Sequence, residues 1–477
     1  MKVLSVASEI QPLVKTGGLA DVAGALPAAL GPLGVEMRTL VPGYPAVLAA
    51  AKGGRKARAY ADLFGGGAAV VEAQAAGLSL LVLDAPHLFD RPGGLYGNGA
   101  DWPDNWRRFA ALARAAADIA ADGAPAWRPD VLHAHDWQAA LAPAYLRYGA
   151  APRFPSVVTI HNLAFQGHFP ASIFPELGLP PQAMSVDGVE YYGGVGFLKA
   201  GLQAAGAITT VSPTYAREIR TPAFGMGLDG LLNLRGESVV GILNGIDTEA
   251  WNPAADPYLA AAFSARTLGA RARNRRTVEE RFGLEPGGEP IACVISRLTW
   301  QKGMDVLAGE FDRLLGAGLR LAILGSGDRA LEGALLAGAA RHRGRAGIVV
   351  GYDEELAHLM QGGCDAILLP SRFEPCGLTQ LYALRYGCVP VVARTGGLAD
   401  TVIDANEAAV SAGAATGLMF TPGNGDALAD ACGRMVELHG DRRAWAAMQR
   451  QGMRADVSWG RSAARYADLY RSLVSKG

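Results

Sequence analysis

Hydrophobic positions along the chain fall into short unbroken runs, separated by longer stretches in which they recur every three or four residues. An unbroken run of four to six apolar residues marks a strand buried on both faces, and three-to-four spacing marks a helix with one buried side. In the first half the runs predict strands at 2–7, 36–41, 78–84, 131–134, 156–160 and 207–211, with helices at 17–30, 106–121 and 139–148. The second half repeats the rhythm, with strands at 291–295, 320–324, 346–350, 366–369 and 389–393 and helices at 304–315 and 378–386. Strands that alternate with helices in this way build a parallel, doubly wound sheet. A chain of 477 residues is too long for one ordinary core, so two tandem α/β domains are expected. The turn signals Asn244-Gly245 and Asn252-Pro253 place the junction, giving domains 1–243 and 244–456. The basic stretch 266–281 reads as a solvated helix entering the second domain, and 457–477 as an amphipathic helix that packs back on the first.

In doubly wound sheets ligands sit at the carboxyl ends of strands, against helix N-termini whose free N–H groups attract anions. The second half puts two such loops after strands. One carries Arg297 and Lys302, two cations suited to a diphosphate; the other carries Arg372, Glu374 and a helix start at Gly377, Leu378 and Thr379. In the first half, Lys15 precedes Gly17-Gly18 at a helix start, where glycines allow close backbone approach. Lys15-Thr16-Gly17-Gly18-Leu19-Ala20-Asp21 is echoed by Arg394-Thr395-Gly396-Gly397-Leu398-Ala399-Asp400, so both copies are expected to line a cleft from opposite walls. His133 and His135 share one face of a strand, yet no third ligand has a metal-binding spacing, so no metal is assigned. Tyr96 and Trp137 are candidate saccharide contacts, flat rings with a polar edge.

Composition narrows the choice. Lys and Arg total 44 against 45 Asp and Glu, which offers no charge for nucleic acid or anionic membrane. Five cysteines without a CxxC pair read as free thiols in a reducing compartment, and no apolar run has the length of a membrane span; a cytoplasmic protein is expected. GxGxxG is absent after the first strand, which argues against a nicotinamide oxidoreductase, and the absence of GxSxG and HExxH argues against hydrolases. A non-catalytic glucan-binding protein would leave Arg297, Lys302 and Glu374 without a purpose.

Taken in order, Lys15-Thr16-Gly17-Gly18-Leu19, His133-Ala134-His135-Asp136-Trp137, Thr159-Ile160-His161-Asn162, Asn244-Gly245-Ile246-Asp247, Ser296-Arg297-Leu298 with Lys302-Gly303, and Ser371-Arg372-Phe373-Glu374-Pro375-Cys376-Gly377-Leu378 resemble the bacterial glycogen synthase and plant starch synthase family. The resemblance implies two Rossmann-like domains facing a deep interdomain cleft (the GT-B type). It implies a cofactor-free, retaining transfer of glucose from ADP-glucose to the non-reducing end of an α-1,4-glucan. By the same resemblance Lys15, Gly17, Gly18 and Asp21 lie on the donor, Arg297 and Lys302 at its phosphates, and Glu374 at its glucose. Gly377, Leu378 and Thr379 would meet the diphosphate, Tyr352 the adenine, His161 the transferred sugar with Asn244 near it, and Tyr96, Asp136 and Trp137 the acceptor. Two positions depart from the family pattern: Gln138 stands where many members have His, and Trp300 is bulkier than usual.

Overall fold

The computed structural model describes residues 1–149, 151 and 153–475. They form two compact units, one of Met1–Asn244 with the segment from Trp459 onward, the other of Gly245–Ser458.

The first unit is built on nine strands: β1 (Lys2–Val6), β2 (Glu36–Pro42), β3 (Arg55–Tyr60), β4 (Ala68–Ala75), β5 (Leu78–Asp84), β6 (Val131–His135), β7 (Ser156–Ile160), β11 (Ala207–Thr210) and β12 (Val239–Gly241). They lie in the order β12-β11-β7-β6-β1-β2-β5-β4-β3, parallel except where β4 and β3 add an antiparallel edge. A separate sheet of β8 (His168–Pro170), β10 (Gly194–Gly196) and β9 (Glu190–Tyr191) is antiparallel. Successive residues feed opposite faces: Leu4, Leu132, Val158 and Ile208 enter one core, Val3, Val131, Val157 and Ala207 the other. That two-sided burial is why the runs are unbroken. The second face is covered in part by helix Gly460–Val474, through Ala463, Tyr466, Ala467 and Tyr470.

The second unit holds six parallel strands: β13 (Ile291–Ile295), β14 (Arg320–Gly325), β15 (Ala346–Val350), β16 (Ala366–Leu369), β17 (Val389–Ala393) and β18 (Leu418–Phe420). Their order is β15-β14-β13-β16-β17-β18, the doubly wound order of a Rossmann domain. Here too alternate residues part, Ala292 and Val294 to one core, Ile291 and Cys293 to the other.

The basic stretch corrects its expectation. Its helix is Arg271–Phe282, and Arg271 is buried, its guanidinium donating to the carbonyls of Gln361, Cys364 and Tyr386 under the ring of Phe263. Arg275 and Arg320 converge on Glu279, and Arg275 also pairs with Asp365. Buried guanidinium is tolerated because carbonyl and carboxylate acceptors surround it. No helix among the described residues is long and apolar enough to cross a membrane. All five cysteines are buried, and none forms a disulfide among the described residues.

Candidate active site

In the second unit the winding reverses between β13 and β16, and the loops that leave their carboxyl ends are 296–303 and 370–378. They are stitched together. Gly303 has φ +69°, and a Cβ there would lie 1.9 Å from the carbonyl oxygen of Pro370, so only glycine lets the loops meet. Arg372 N–H donates to the Gln301 carbonyl at 2.9 Å. Across this seam Lys302 Nζ donates to Glu374 Oε2 at 2.6 Å, and the Ser371 hydroxyl donates to the same oxygen at 2.9 Å. Arg372 is fixed by a two-pronged pair with Asp305 (2.6 and 2.7 Å) and by the Trp300 ring 4.4 Å from its guanidinium carbon. The bulky Trp300 thus covers the arginine that ties the acid-bearing loop to helix Met304–Gly316, and that arginine holds Asp305 below the usual carboxylate range. Arg297 differs from both neighbours: it is exposed, and its guanidinium pairs with no described residue.

Gly377, at φ +71°, turns the chain into helix Thr379–Tyr386, with Leu378 as its first cap residue. The buried Gln380 amide donates back to the carbonyls of Cys376 (3.0 Å) and Gly377 (2.8 Å). Gly396 and Gly397 press on the other side of the same loop, with Gly397 N–H donating to the Glu374 carbonyl at 3.1 Å. Tyr352 follows β15, two strands from β13, and is 74% exposed with its hydroxyl on Glu354. Two strand spacings are about 10 Å, the reach from a diphosphate to the base of its own nucleotide.

In the first unit the winding reverses between β1 and β6. The loop after β1 is organised by Glu9, a residue the sequence does not single out. Its buried carboxylate accepts from Thr16 Oγ1 (2.8 Å), the N–H groups of Thr16 and Gly17, and the Tyr96 hydroxyl (2.8 Å), which also meets Ser8 Oγ. The only sequence signal would have been a carboxylate eight residues before a Gly-Gly helix start. Above it Lys15 pairs with Asp21 at 2.7 Å, and a Cβ on Gly17 would touch nothing within 4 Å.

The loop after β6 begins with Asp136 at φ +53°, a left-handed conformation uncommon outside glycine, asparagine and aspartate. Its Oδ1 accepts from His161 N–H at 2.6 Å, and burial pushes its carboxyl up to about 8. His161, after β7, shares a 2.9 Å bond between its Nε2 and His135 Nδ1. Both nitrogens of His133 are occupied, by Thr159 Oγ1 and the Tyr470 hydroxyl, so this ring is a strut beneath the helix Gly460–Val474. Trp137 lies largely within the core. Its ring is wedged among Phe109, Phe169 and Phe197 and is 9% exposed, so its faces are spent on the core. Gln138 is buried behind it. Asn244, beyond β12, hydrogen-bonds to none of these side chains and keeps a buried Oδ1 with no donor among the described residues.

The structure therefore gathers Lys302, Glu374, Gly377, Leu378 and Thr379 in one unit, with Arg297 on the adjoining loop. It gathers Lys15, Gly17, Gly18, Asp21 and Tyr96, and Asp136 with His161, in the other.

Comparison with known proteins agrees with this layout. A model of the starch synthase catalytic domain matches residues 2–234, and one of the glycosyl transferases group 1 matches 276–451. The glycogen synthase of Mesorhizobium japonicum is 66% identical over 478 residues, covering 100% of this chain and 99% of that one. That of Rhizobium tropici is 60% identical over 479 residues, covering 100% of both. Among solved structures, the catalytic domain of starch synthase IV from Arabidopsis thaliana, bound to ADP and acarbose, matches with a TM-score of 0.88 at 31% identity over 99% of each chain. Sucrose-phosphate synthase from Thermosynechococcus elongatus, at 17% identity and TM-score 0.61, covering 100% of both chains, shares the fold alone. With a full-length match to glycogen synthases and two Rossmann-like units, the chain belongs to the glycogen and starch synthase family of GT-B glycosyltransferases.

Proposed function

We propose that this enzyme elongates an α-1,4-glucan by transferring glucose from ADP-glucose with retention, and that residues of both units serve that one transfer. The observation that carries the reading is the seam between loops 296–303 and 370–378, where Lys302 pairs with Glu374 and the first loop also carries the exposed Arg297. A diphosphate leaving group gains negative charge as its bond to the sugar breaks, and fixed cations and N–H groups stabilise that change more than they stabilise the bound donor. Lys302 is shared with Glu374, so Arg297 supplies the uncommitted positive charge.

No pair of carboxylates in the sequence has a spacing that compels the double displacement of a retaining glycosidase. The C1–O bond to phosphate therefore breaks with its electron pair leaving on ADP, and the acceptor hydroxyl bonds to C1 from the same face. Its proton passes to the departing phosphate oxygen. In this reading Glu374 and His161 hold the hydroxyls of the transferred glucose, with Asn244 near them, while Tyr96 and Asp136 border the acceptor and Trp137 backs them from the core. Lys15, Gly17, Gly18 and Asp21 meet the donor from the first unit, and Tyr352 stacks on adenine. A cytoplasmic setting suits five thiols that form no disulfide.

The test is incorporation of label from ADP-glucose or UDP-glucose into glycogen. Label is expected in polymer from ADP-glucose, and Lys302→Ala or Arg297→Ala should each lower turnover by roughly tenfold or more. Transfer to small sugars without polymer, or near-normal rates in both variants, overturns the reading.

A further inference from the structure

Among the described residues, His135 is the histidine with a ring nitrogen both enclosed and unpartnered: Nδ1 meets His161 Nε2 at 2.9 Å, and Nε2 is enclosed with no hydrogen bond. An orphaned polar atom in a packed interior calls for a reason. The placement itself follows from register. β6 pairs with β7 so that His135 lies opposite Thr159, which brings its ring edge to the residue just past the end of β7, His161. His133, two positions earlier on the same face, lies tilted against His135 with ring centroids 4.1 Å apart.

Burial drives His135 down to about 3 and His161 well below the imidazole range, so both rings are neutral and each carries one proton. In a bond between two neutral imidazoles one nitrogen donates and the other accepts. If His161 donated, the proton of His135 would sit on Nε2, an N–H buried without an acceptor. If His135 donates from Nδ1, its Nε2 is a bare acceptor instead. Buried donors left unpaired are the rarer outcome, because the N–H loses its water and gains nothing.

We infer that His135 is a positioning residue that donates from Nδ1 to Nε2 of His161, locking His161 in the tautomer protonated on Nδ1 and making it a hydrogen-bond donor toward the transferred sugar. The last clause rests on the place proposed above for His161. The His161 Nδ1 makes no hydrogen bond to any described residue, and the side chain retains some exposure, so the proton is held on the nitrogen free to meet a ligand. A donor there favours a sugar hydroxyl oxygen. The other tautomer would present a lone pair and accept instead.

The experiment uses the full-length protein labelled with nitrogen-15 at histidine, reading each ring tautomer from long-range proton–nitrogen correlations. His161→Gln identifies the His161 signals by their loss. The expected result is the Nδ1-protonated pattern for His161 in the parent, and a shift to mixed or Nε2-protonated His161 in His135→Leu. An Nε2-protonated His161 in the parent overturns the inference without any variant having to fold. In kinetics, His135→Leu should lower kcat by roughly ten- to a hundredfold with KM for the nucleotide sugar little changed. His135→Asn, whose amide nitrogen can occupy the Nδ1 position, should restore most of it. Equal kcat loss in both variants, with equal melting temperatures, means the ring only packs, and the inference fails. If His161 is Nδ1-protonated but His161→Ala turns over normally, the proposed role of His161 falls while the tautomer assignment stands.

Discussion

The two Gly-Gly loops share a sequence pattern and have opposite surroundings. In Lys15-Thr16-Gly17-Gly18 the lysine, the threonine and Gly18 are exposed, and nothing faces the first glycine within 4 Å. In Arg394-Thr395-Gly396-Gly397 all but the arginine are buried. A Cβ on Gly396 would lie 1.9 Å from the Glu374 carbonyl oxygen, and one on Gly397 2.1 Å from that of Cys376. The first loop is held from beneath by the Glu9 carboxylate and keeps an open upper side; the second is itself the floor beneath the acid-bearing loop. The same letters therefore serve a surface in one unit and a scaffold in the other. Small residues are needed either to admit something close or to let two backbones touch, and the pattern alone does not say which.

The largest difference should appear on adding one methyl group. Gly396→Ala meets both a backbone clash and φ +43°, and overpacking plus conformational strain sum to roughly 2–4 kcal/mol. In a unit of this size that lowers the melting temperature by about 5–15 °C. Gly17→Ala, at φ −158° with open space, should move it by less than about 2 °C. Turnover should still fall in Gly17→Ala if that open side receives a ligand. Equal melting shifts in calorimetry would erase the contrast.

An intermediate effect is expected from Glu9→Gln. The carboxylate accepts four hydrogen bonds on two oxygens, whereas an amide keeps one accepting oxygen and turns its nitrogen toward donors. Losing charged acceptance at even one of them costs about 1.5–3 kcal/mol locally. The loop carrying Lys15 should loosen, seen as faster amide exchange at Thr16 and Gly17 and a severalfold fall in kcat/KM. Unchanged exchange would show that Glu9 does not hold the loop.

A pH-dependent effect separates the units by charge. Glu374 is ion-paired with Lys302, but Glu9 and Asp136 form no ion pair among the described residues. Asp136 is raised to about 8 by burial, while in the unfolded chain it titrates near about 4. Between those values the folded protein holds a proton that the unfolded chain lacks, so this group lowers stability progressively as pH rises from about 4 to about 8. Asp136→Asn removes that titration and tolerates the same left-handed backbone. Its denaturation midpoint should therefore gain on the parent from pH 5 to pH 8. Parallel curves would contradict the raised value.

The paired histidines and the Glu374 seam show why some of the site was legible and some was not. Arg297, Lys302 and Glu374 stand on loops that directly follow apolar runs, so their place at strand ends could be read from order alone. That Lys302 and Glu374, 72 residues apart in the chain, touch depends on β13 and β16 lying side by side. The pairings of Glu9 with Tyr96 and of His135 with His161 are made by folding and cannot be read from their neighbours in the chain. Likewise, that Phe109, Phe169 and Phe197 close around Trp137 is decided across the fold.

By itself the sequence determined the strands buried on both faces, because a run with no polar position has no side to give to water. Strands β5, β7, β13, β15, β16 and β17 run over the residues their apolar patterns mark. The edge strands β3 and β4 and the three-residue β18 were decided by the tertiary structure, since their pairing partners supply the order that their own short or mixed patterns lack. Tertiary structure also decided which glycine pair is open and which histidine rings meet. Both depend on what stands within a few ångströms across the fold, a distance that has no counterpart along the chain.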